Sequence, residues 1–328
     1  MPSESNRRFM GKSPLVSIII PAYNAERFLC ATLESVRAQS LADWECVVVN
    51  DGSTDATAKV AETFVACDTR IHTWSQANGG VASARNLGLS KINPGSSYVA
   101  FLDADDVYRP GALETLRRAV ESEPGCVGAH GLPDTIDANG RPYEAGKLTA
   151  RFRRRLGCCD GKLVELAASA PTDMATLYVM TFGVGPPGVF LLRRPISDRV
   201  GLFNPAAVPS EDSDYWIRAA RHGSFKFVDE VVLYYRRHDA NATNNGRRID
   251  RQRRALTHSA YFSPENTRQQ RRLLTACYRA LQREALNNKA KRWRQAIQAG
   301  RPWEALRLAP HVAGRVLKFI RGFPTRMG

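Results

Sequence analysis

Within the first 130 residues four short apolar runs each stop at a cluster of polar residues, and each cluster leads into a segment of helical period. The runs are Leu15 to Ile20, Trp44 to Asn50, Ile71 to Trp74 and Tyr98 to Leu102, with a fifth at Cys126 to Ala129. The segments between them are Glu26 to Gln39, Thr54 to Phe64, Val81 to Leu89 and Pro110 to Val120, in which apolar residues recur as Phe28/Leu29, Leu33 and Val36 do. Strands that are apolar on both faces and alternate with helices form a parallel sheet covered by helices. The expectation is a Rossmann-like, doubly wound α/β fold. After Gly131 the alternation fades, and Asp137-Ala-Asn139-Gly140 marks a tight turn that opens a less regular insertion to about residue 180. A strand from Gly188 to Arg194, a helix from Glu211 to Arg221 and a strand from Phe225 to Tyr235 are then expected to complete the sheet.

A chain of 328 residues corresponds to roughly two domains. Its 43% hydrophobic and 24% charged residues exclude both a disordered tail and a membrane-embedded bundle. The longest apolar strings, such as Val16 to Ile20 and Val189 to Leu192, fall far short of the ~18 residues a spanning helix needs. Arg7, Arg8 and Lys12 are followed only by Leu15 to Ile20 before Pro21, too short for a secretory signal, so a cytoplasmic location is expected. The seven cysteines form an odd set without C-x-x-C spacing and read as reduced, buried thiols, including the adjacent Cys158 and Cys159.

The net charge of +15 is unevenly spread: residues 247–328 carry +16 and residues 1–246 carry −1. That split separates a nearly neutral front from a basic helical tail. The division expected is an extension at 1–14, a catalytic unit at 15–245 with halves at 15–130 and 131–245, and the tail at 246–328. Within the tail Val312, Ala313, Val316, Leu317, Phe319 and Ile320 fall in one ~160° arc at ~100° per residue, opposite Arg315, Lys318 and Arg321. Such a helix suits either an anionic membrane surface, as in peripheral attachment at the inner face of the cell membrane, or packing against the catalytic unit.

In open α/β sheets ligands bind beyond the carboxyl ends of the strands, so the clusters after each run carry most weight. They are Pro21-Ala-Tyr23-Asn24, Asp51-Gly-Ser53-Thr54-Asp55, Gln76-Ala-Asn78-Gly79-Gly80 and Asp103-Ala-Asp105-Asp106. Asp51, Asp103 and Asp105 on one rim repel each other unless a cation or a donor-rich ligand sits among them. The D-x-D spacing of Asp103 and Asp105 recurs at Asp212 and Asp214, so its position after an apolar strand is what gives it meaning.

In order and spacing, Ser17-Ile-Ile-Ile-Pro-Ala-Tyr-Asn24, Val49-Asn-Asp-Gly-Ser-Thr-Asp55, Asn78-Gly-Gly-Val-Ala-Ser-Ala-Arg-Asn86 and Phe101-Leu-Asp-Ala-Asp-Asp106 resemble the signature of family 2 glycosyltransferases of the GT-A fold. The resemblance continues through Gly188 to Arg194, Val200-Gly-Leu-Phe203, Glu211-Asp-Ser-Asp-Tyr-Trp-Ile-Arg218 and Tyr234-Tyr-Arg-Arg-His238. It implies that Pro21, Ala22, Tyr23 and Asp51 hold a nucleotide base, with Asn78 and Arg85 beside it, and that Asp103 lies near the ribose. It also implies that Asp105 and His238 hold a divalent metal, Mn²⁺ or Mg²⁺, on the diphosphate, and that Asp212 is the catalytic base with Glu211 in support or at the acceptor. The activity so implied is a metal-dependent, inverting transfer of a sugar from a nucleotide-sugar donor, with UDP preferred, to a saccharide or lipid-linked saccharide in cell-surface glycan synthesis.

Two other readings compete. A nucleotidyltransferase uses a similar sheet, but a basic, glycine-rich loop is expected after its first strand, and no basic residue follows Pro21 until Arg27. A non-catalytic lipid- or nucleic-acid-binding protein explains the tail but leaves an acidic rim that repels nucleic acid. The Gly183-Val-Gly185-Pro-Pro-Gly188 stretch satisfies G-x-G-x-x-G, yet its two prolines lack the N–H donors that cradle a dinucleotide phosphate, and a strand follows it.

Overall fold

The computed structural model describes residues 13–180, 185–239, 241, 255, 256, 258–301 and 303. The expected amphipathic stretch at Val312 to Ile320 and the basic amino-terminal residues lie outside the described residues, as does the junction at residues 245 and 246.

The first half reads β1 (Val16–Ala22), α1 (Leu29–Arg37), β2 (Trp44–Asp51), α2 (Thr57–Cys67), β3 (Ile71–Gln76), α3 (Val81–Lys91) and β4 (Tyr98–Phe101). Then come β5 (Val107–Tyr108), α4 (Ala112–Ser122), β6 (Gly128–Ile136), α5 (Lys147–Arg153), β7 (Leu156–Cys159), β8 (Lys162–Glu165) and α6 (Met174–Val179). The chain continues with β9 (Phe190–Arg193), α7 (Arg194–Val200), α8 (Glu211–Ala219), β10 (Phe225–Arg236) and α9 (Arg268–Gln298). One eight-stranded sheet runs β3-β2-β1-β4-β9-β6-β10-β5, and β7 and β8 form a separate hairpin.

Strands β3, β2, β1 and β4 are parallel, and β6 and β10 are parallel to each other. Antiparallel β9 joins the two sets, so all six point the same way and their carboxyl ends share one rim. This is the mostly parallel α/β sheet that the alternating runs predict. Every residue of β1 and β2 is buried, as continuous apolar strands covered on both faces require, whereas β3 at the edge is only partly covered. Helix α3 lies against β1 and β2 at Gly88, where an added Cβ would stand 2.4 Å from Ile19 Cγ2. In α4, Leu113, Leu116 and Val120 form the buried stripe while Glu114, Arg117 and Glu121 pair on the outer side.

Three details depart from the sequence reading. Strand β6 continues to Ile136 instead of fading at Ala129, because pairing with β10 persists to Ile136 and Arg236. The insertion expected to be irregular contains α5, the β7–β8 hairpin and α6. Cys30, Cys67 and Cys159 are exposed rather than buried, although all seven cysteines are free thiols as expected.

The tail contains a helix, as its composition predicts. Helix α9 opens with a capping box, in which Thr267 accepts from the Gln270 N–H and the Gln270 side chain accepts from the Thr267 N–H. Its first half packs on α6, β7 and β8 through buried Leu274 and Cys277, which belong to the same apolar core as β1 and β2. Truncating fully buried Leu274 to alanine should therefore cost about 2–5 kcal/mol in urea unfolding, the range for opening a leucine-sized cavity. A surface helix would lose almost nothing.

Candidate active site

The loops at the carboxyl rim are tied to one another before any ligand is considered. Asn24, at the unusual φ of 48°, accepts from the Thr54 N–H at 2.9 Å and donates its own N–H to Ser53 Oγ at 3.0 Å. Ala25 N–H donates to Thr57 Oγ1 at 2.7 Å and Ala56 N–H to Glu26 Oε2 at 2.7 Å. The polar run Ser53-Thr-Asp55 thus laces the loop after β1 to the loop after β2, a role the sequence reading missed. No local pattern signals it, since these pairs span 29 to 32 residues. Pro21 and Ala22 are buried in β1, while Tyr23 projects from the rim and is 52% exposed.

Asp51 ends β2 and is 2% exposed. Its Oδ1 accepts from Gln76 Nε2 at 2.6 Å and the Gly79 N–H at 2.8 Å, and its Oδ2 accepts from the Gly80 N–H at 2.8 Å. One carboxylate therefore shapes the whole loop after β3. Gly52, at φ 69°, lets that loop close, because a Cβ there would meet Asn78 N at 2.7 Å. Asn78 stands exposed above the two.

The turn after β4 carries Asp103, whose Oδ1 accepts from Arg85 Nη2 at 2.6 Å. Arg85, on α3, is 2% exposed and donates Nη1 to Glu211 Oε1, also at 2.6 Å. Burial alone would depress its pKa, but the charges of Asp103, Glu211 and Asp212 outweigh burial and hold it above its ordinary value. The guanidinium also lies 5.3 Å from the ring centre of Phe203, which stacks on Tyr215 at 4.1 Å and meets Phe101 edge-on at 4.8 Å. Arg85 thus binds the D-x-D turn to the start of α8 above an aromatic floor. Its terminal nitrogens are spent on these partners, so it reaches the rim through Asp103.

Asp212 follows Glu211 in the first turn of α8 and is partly exposed. Burial and the neighbouring Glu211 charge push its pKa up to about 7, against the pull of Arg85 and a hydrogen bond from the Ser213 N–H. A carboxylate poised near neutrality is suited to accept a proton.

Asp105 Oδ2 stands 2.9 Å from His238 Nε2, just past the end of β10. The Arg236 guanidinium donates to the Asp105 carbonyl at 2.8 Å, and the Arg236 N–H donates to Asp106 Oδ1 at 3.0 Å. Asp106 is fully buried, and burial together with Asp105 and Asp103 raises its pKa well above the carboxylate range. It is a fastening between the turn and β10, whereas Asp105 and His238 face partly outward.

Among the described residues no three His, Cys, Asp or Glu side chains converge on one point. A carboxylate oxygen beside an imidazole nitrogen, with Asn241 Nδ2 3.3 Å from the same nitrogen, is nonetheless a donor pair of the kind that suits Mg²⁺ or Mn²⁺. The acids expected to repel one another at the rim are each answered from within the protein. Asp51 faces backbone N–H groups, Asp103 faces Arg85 and Asp105 faces His238.

Residues 17–170 match the family model described as glycosyl transferase family 2. EpsJ of Bacillus subtilis, a protein named as a glycosyltransferase, is 31% identical over 233 residues, covering 70% of this chain and 63% of its own. The chain thus spans somewhat less than two thirds of that relative. Among solved structures, Staphylococcus aureus TarS 1–349 with UDP-GlcNAc superposes with a TM-score of 0.59 at 17% identity, over 82% of this chain and 72% of TarS. The mannosyltransferase PcManGT of Pyrobaculum calidifontis, solved with GDP-Man and Mn²⁺, gives 0.56 at 18% identity over 95% of this chain and 81% of its own. Residues 17–170 thus carry the glycosyl transferase family 2 sequence match, and the sheet shared with these two structures is that of the GT-A fold.

Proposed function

We propose that the chain transfers a sugar from a nucleotide-diphosphate donor to a hydroxyl of a saccharide or lipid-linked saccharide, with inversion at the anomeric carbon. The observation that carries this reading is the Asp103–Arg85–Glu211 bridge, which sets Asp212 beside the turn bearing Asp105. Exposed Tyr23 and Asn78, with the loop held by Asp51, offer a base-binding edge in the half at 15–130, and Asp103 is assigned to the ribose. Asp105 and His238 are assigned to a divalent cation, which when bound neutralises charge growing on the departing diphosphate. Ionised Asp212 accepts the proton of the acceptor hydroxyl. The hydroxyl oxygen bonds to the anomeric carbon from the opposite face as the carbon–phosphate-oxygen bond breaks, and that electron pair leaves with the nucleoside diphosphate. A UDP-sugar is the preferred donor, supported by the UDP-GlcNAc in TarS, with GDP-mannose as the comparison to exclude. Free thiols at all seven cysteines support a reducing, cytoplasmic setting for this chemistry.

Asp212→Asn should keep donor affinity and lose ~10²–10⁴ in turnover, because an amide cannot take the proton. Retained turnover, or a product with the donor's own anomeric configuration by NMR, removes the assignment. Since Asp212 must be ionised and its pKa stands at about 7, kcat/KM should fall about tenfold per pH unit below that point and level off above it. Asp105→Asn should abolish the extra thermal stabilisation that Mn²⁺ adds to UDP-sugar binding, measured over a panel of donors. Arg85→Gln should cost about 3 kcal/mol in urea unfolding, because it leaves buried Glu211 and partly exposed Asp103 without their cation, whereas Arg85→Lys should recover part of that loss.

A further inference from the structure

Helix α9 changes its apolar side along its length. Its first half is held to the core by Leu274, Cys277 and part-buried Leu281. At ~100° per residue these three occupy one ~60° arc. In the second half Leu286, Ala290, Trp293 and Ile297 also fall within ~60°, but that seam is centred ~160° away from the first. One straight helix of 31 residues, ~46 Å long, cannot bury both seams against the same neighbour. Ile297 is accordingly 50% exposed, and Leu286 and Trp293 are partly exposed.

The second seam is bordered by cations: Lys289 lies on one side of it and exposed Arg294 on the other. From Arg268 to Gln298 the helix has nine Lys and Arg against the single acid Glu284. Trp303, a few residues beyond the helix, is 79% exposed. A basic face that serves only to stay in water needs no aliphatic row through its middle. A nucleic acid would use the cations but would leave Leu286, Ala290 and Ile297 uncovered. An apolar seam with an aromatic residue and basic flanks is what a helix lying in a lipid interface presents.

We propose that the second half of α9, from Leu286 to Ile297, lies with Trp303 on an anionic lipid bilayer, while the first half remains part of the folded core. The surface would bring the enzyme to an acceptor held in the membrane, yet the inference stands on α9 alone and not on the donor chemistry. Cations near an anionic leaflet attract within a Debye length, and the seam supplies a salt-independent part of the affinity.

The test is flotation of the full chain with vesicles of phosphatidylcholine alone and of phosphatidylcholine mixed with phosphatidylglycerol. Wild type should float with the anionic vesicles only, and binding should fall at least about tenfold between ~50 and ~500 mM salt. Lys289→Glu with Arg294→Glu should abolish flotation at every salt concentration. Ile297→Ser with Trp303→Ser should weaken it about tenfold at low salt with a nearly unchanged melting temperature, since Trp303 is 79% and Ile297 50% exposed. If the charge-reversed variant fails to fold, the serine pair decides alone. Equal flotation of the serine pair and wild type, equal binding to neutral vesicles, or displacement by RNA of matched charge at physiological salt would each overturn the proposal.

Discussion

A single buried guanidinium holds the functional rim together. Arg85 stands on a helix of the first half, and its two terminal nitrogens reach carboxylates more than a hundred residues apart in sequence, Asp103 and Glu211. Both contacts are 2.6 Å, and the arginine is shielded from water, so neither acid can be released without exposing an uncompensated charge. Asp212 inherits its place from this bridge. Its raised proton affinity follows from burial beside Glu211, and Arg85 limits the rise. The same residue that joins the Asp103 turn to α8 therefore also tunes the Asp212 carboxylate.

Beneath the bridge the support is apolar. Phe101, Phe203, Tyr215 and Trp216 stack and cross under Arg85, and Asn86 clasps the Phe203 backbone through two hydrogen bonds of 2.7 and 3.0 Å. Rings of this size hold their neighbours to few arrangements, which fixes where α8 begins and which way its first turn faces. Above it, the polar residues of the loops mostly bind one another. Asn24, Ser53, Thr54, Asp55 and Glu26 are committed to lacing two loops, leaving Tyr23, Asn78, Asp105 and His238 as the groups the rim presents outward. A polar cluster at a strand end thus divides into a part that shapes the rim and a part that faces outward from it.

The basic tail divides in a similar way. Its charge in sequence suits either a membrane surface or packing against the catalytic unit, and Leu274 and Cys277 place the first half of α9 in the common core. The helix starts where a capping box satisfies its first N–H groups, and it continues past the last residues that bury it against α6, β7 and β8. Beyond that point Ala296 is the one buried residue of the helix, and the second apolar seam stays partly exposed and faces elsewhere.

The sequence by itself determined the sheet and its rim. Continuous apolar runs such as Val16 to Ile20 and Cys46 to Val49 suit only strands covered on both faces, and helices between them force those strands to be parallel, so Asp51 and Asp103 had to emerge at the same end. It also carried the resemblance to family 2 glycosyltransferases, because the clusters stand in the order and spacing of that signature. The tertiary structure alone decided which acids pair with which donors. Asp105 meets His238 across 133 positions, and Glu211 meets Arg85 across 126, distances over which no periodicity or local spacing carries information. It also showed that Asp106, buried and bonded by the Arg236 N–H, fastens the turn to β10, while Asp105 beside it faces partly outward against His238. Local pattern is set by which face of an element is apolar. The partner of a buried charge is set by where separate elements come to rest, and that is known only once the chain has folded.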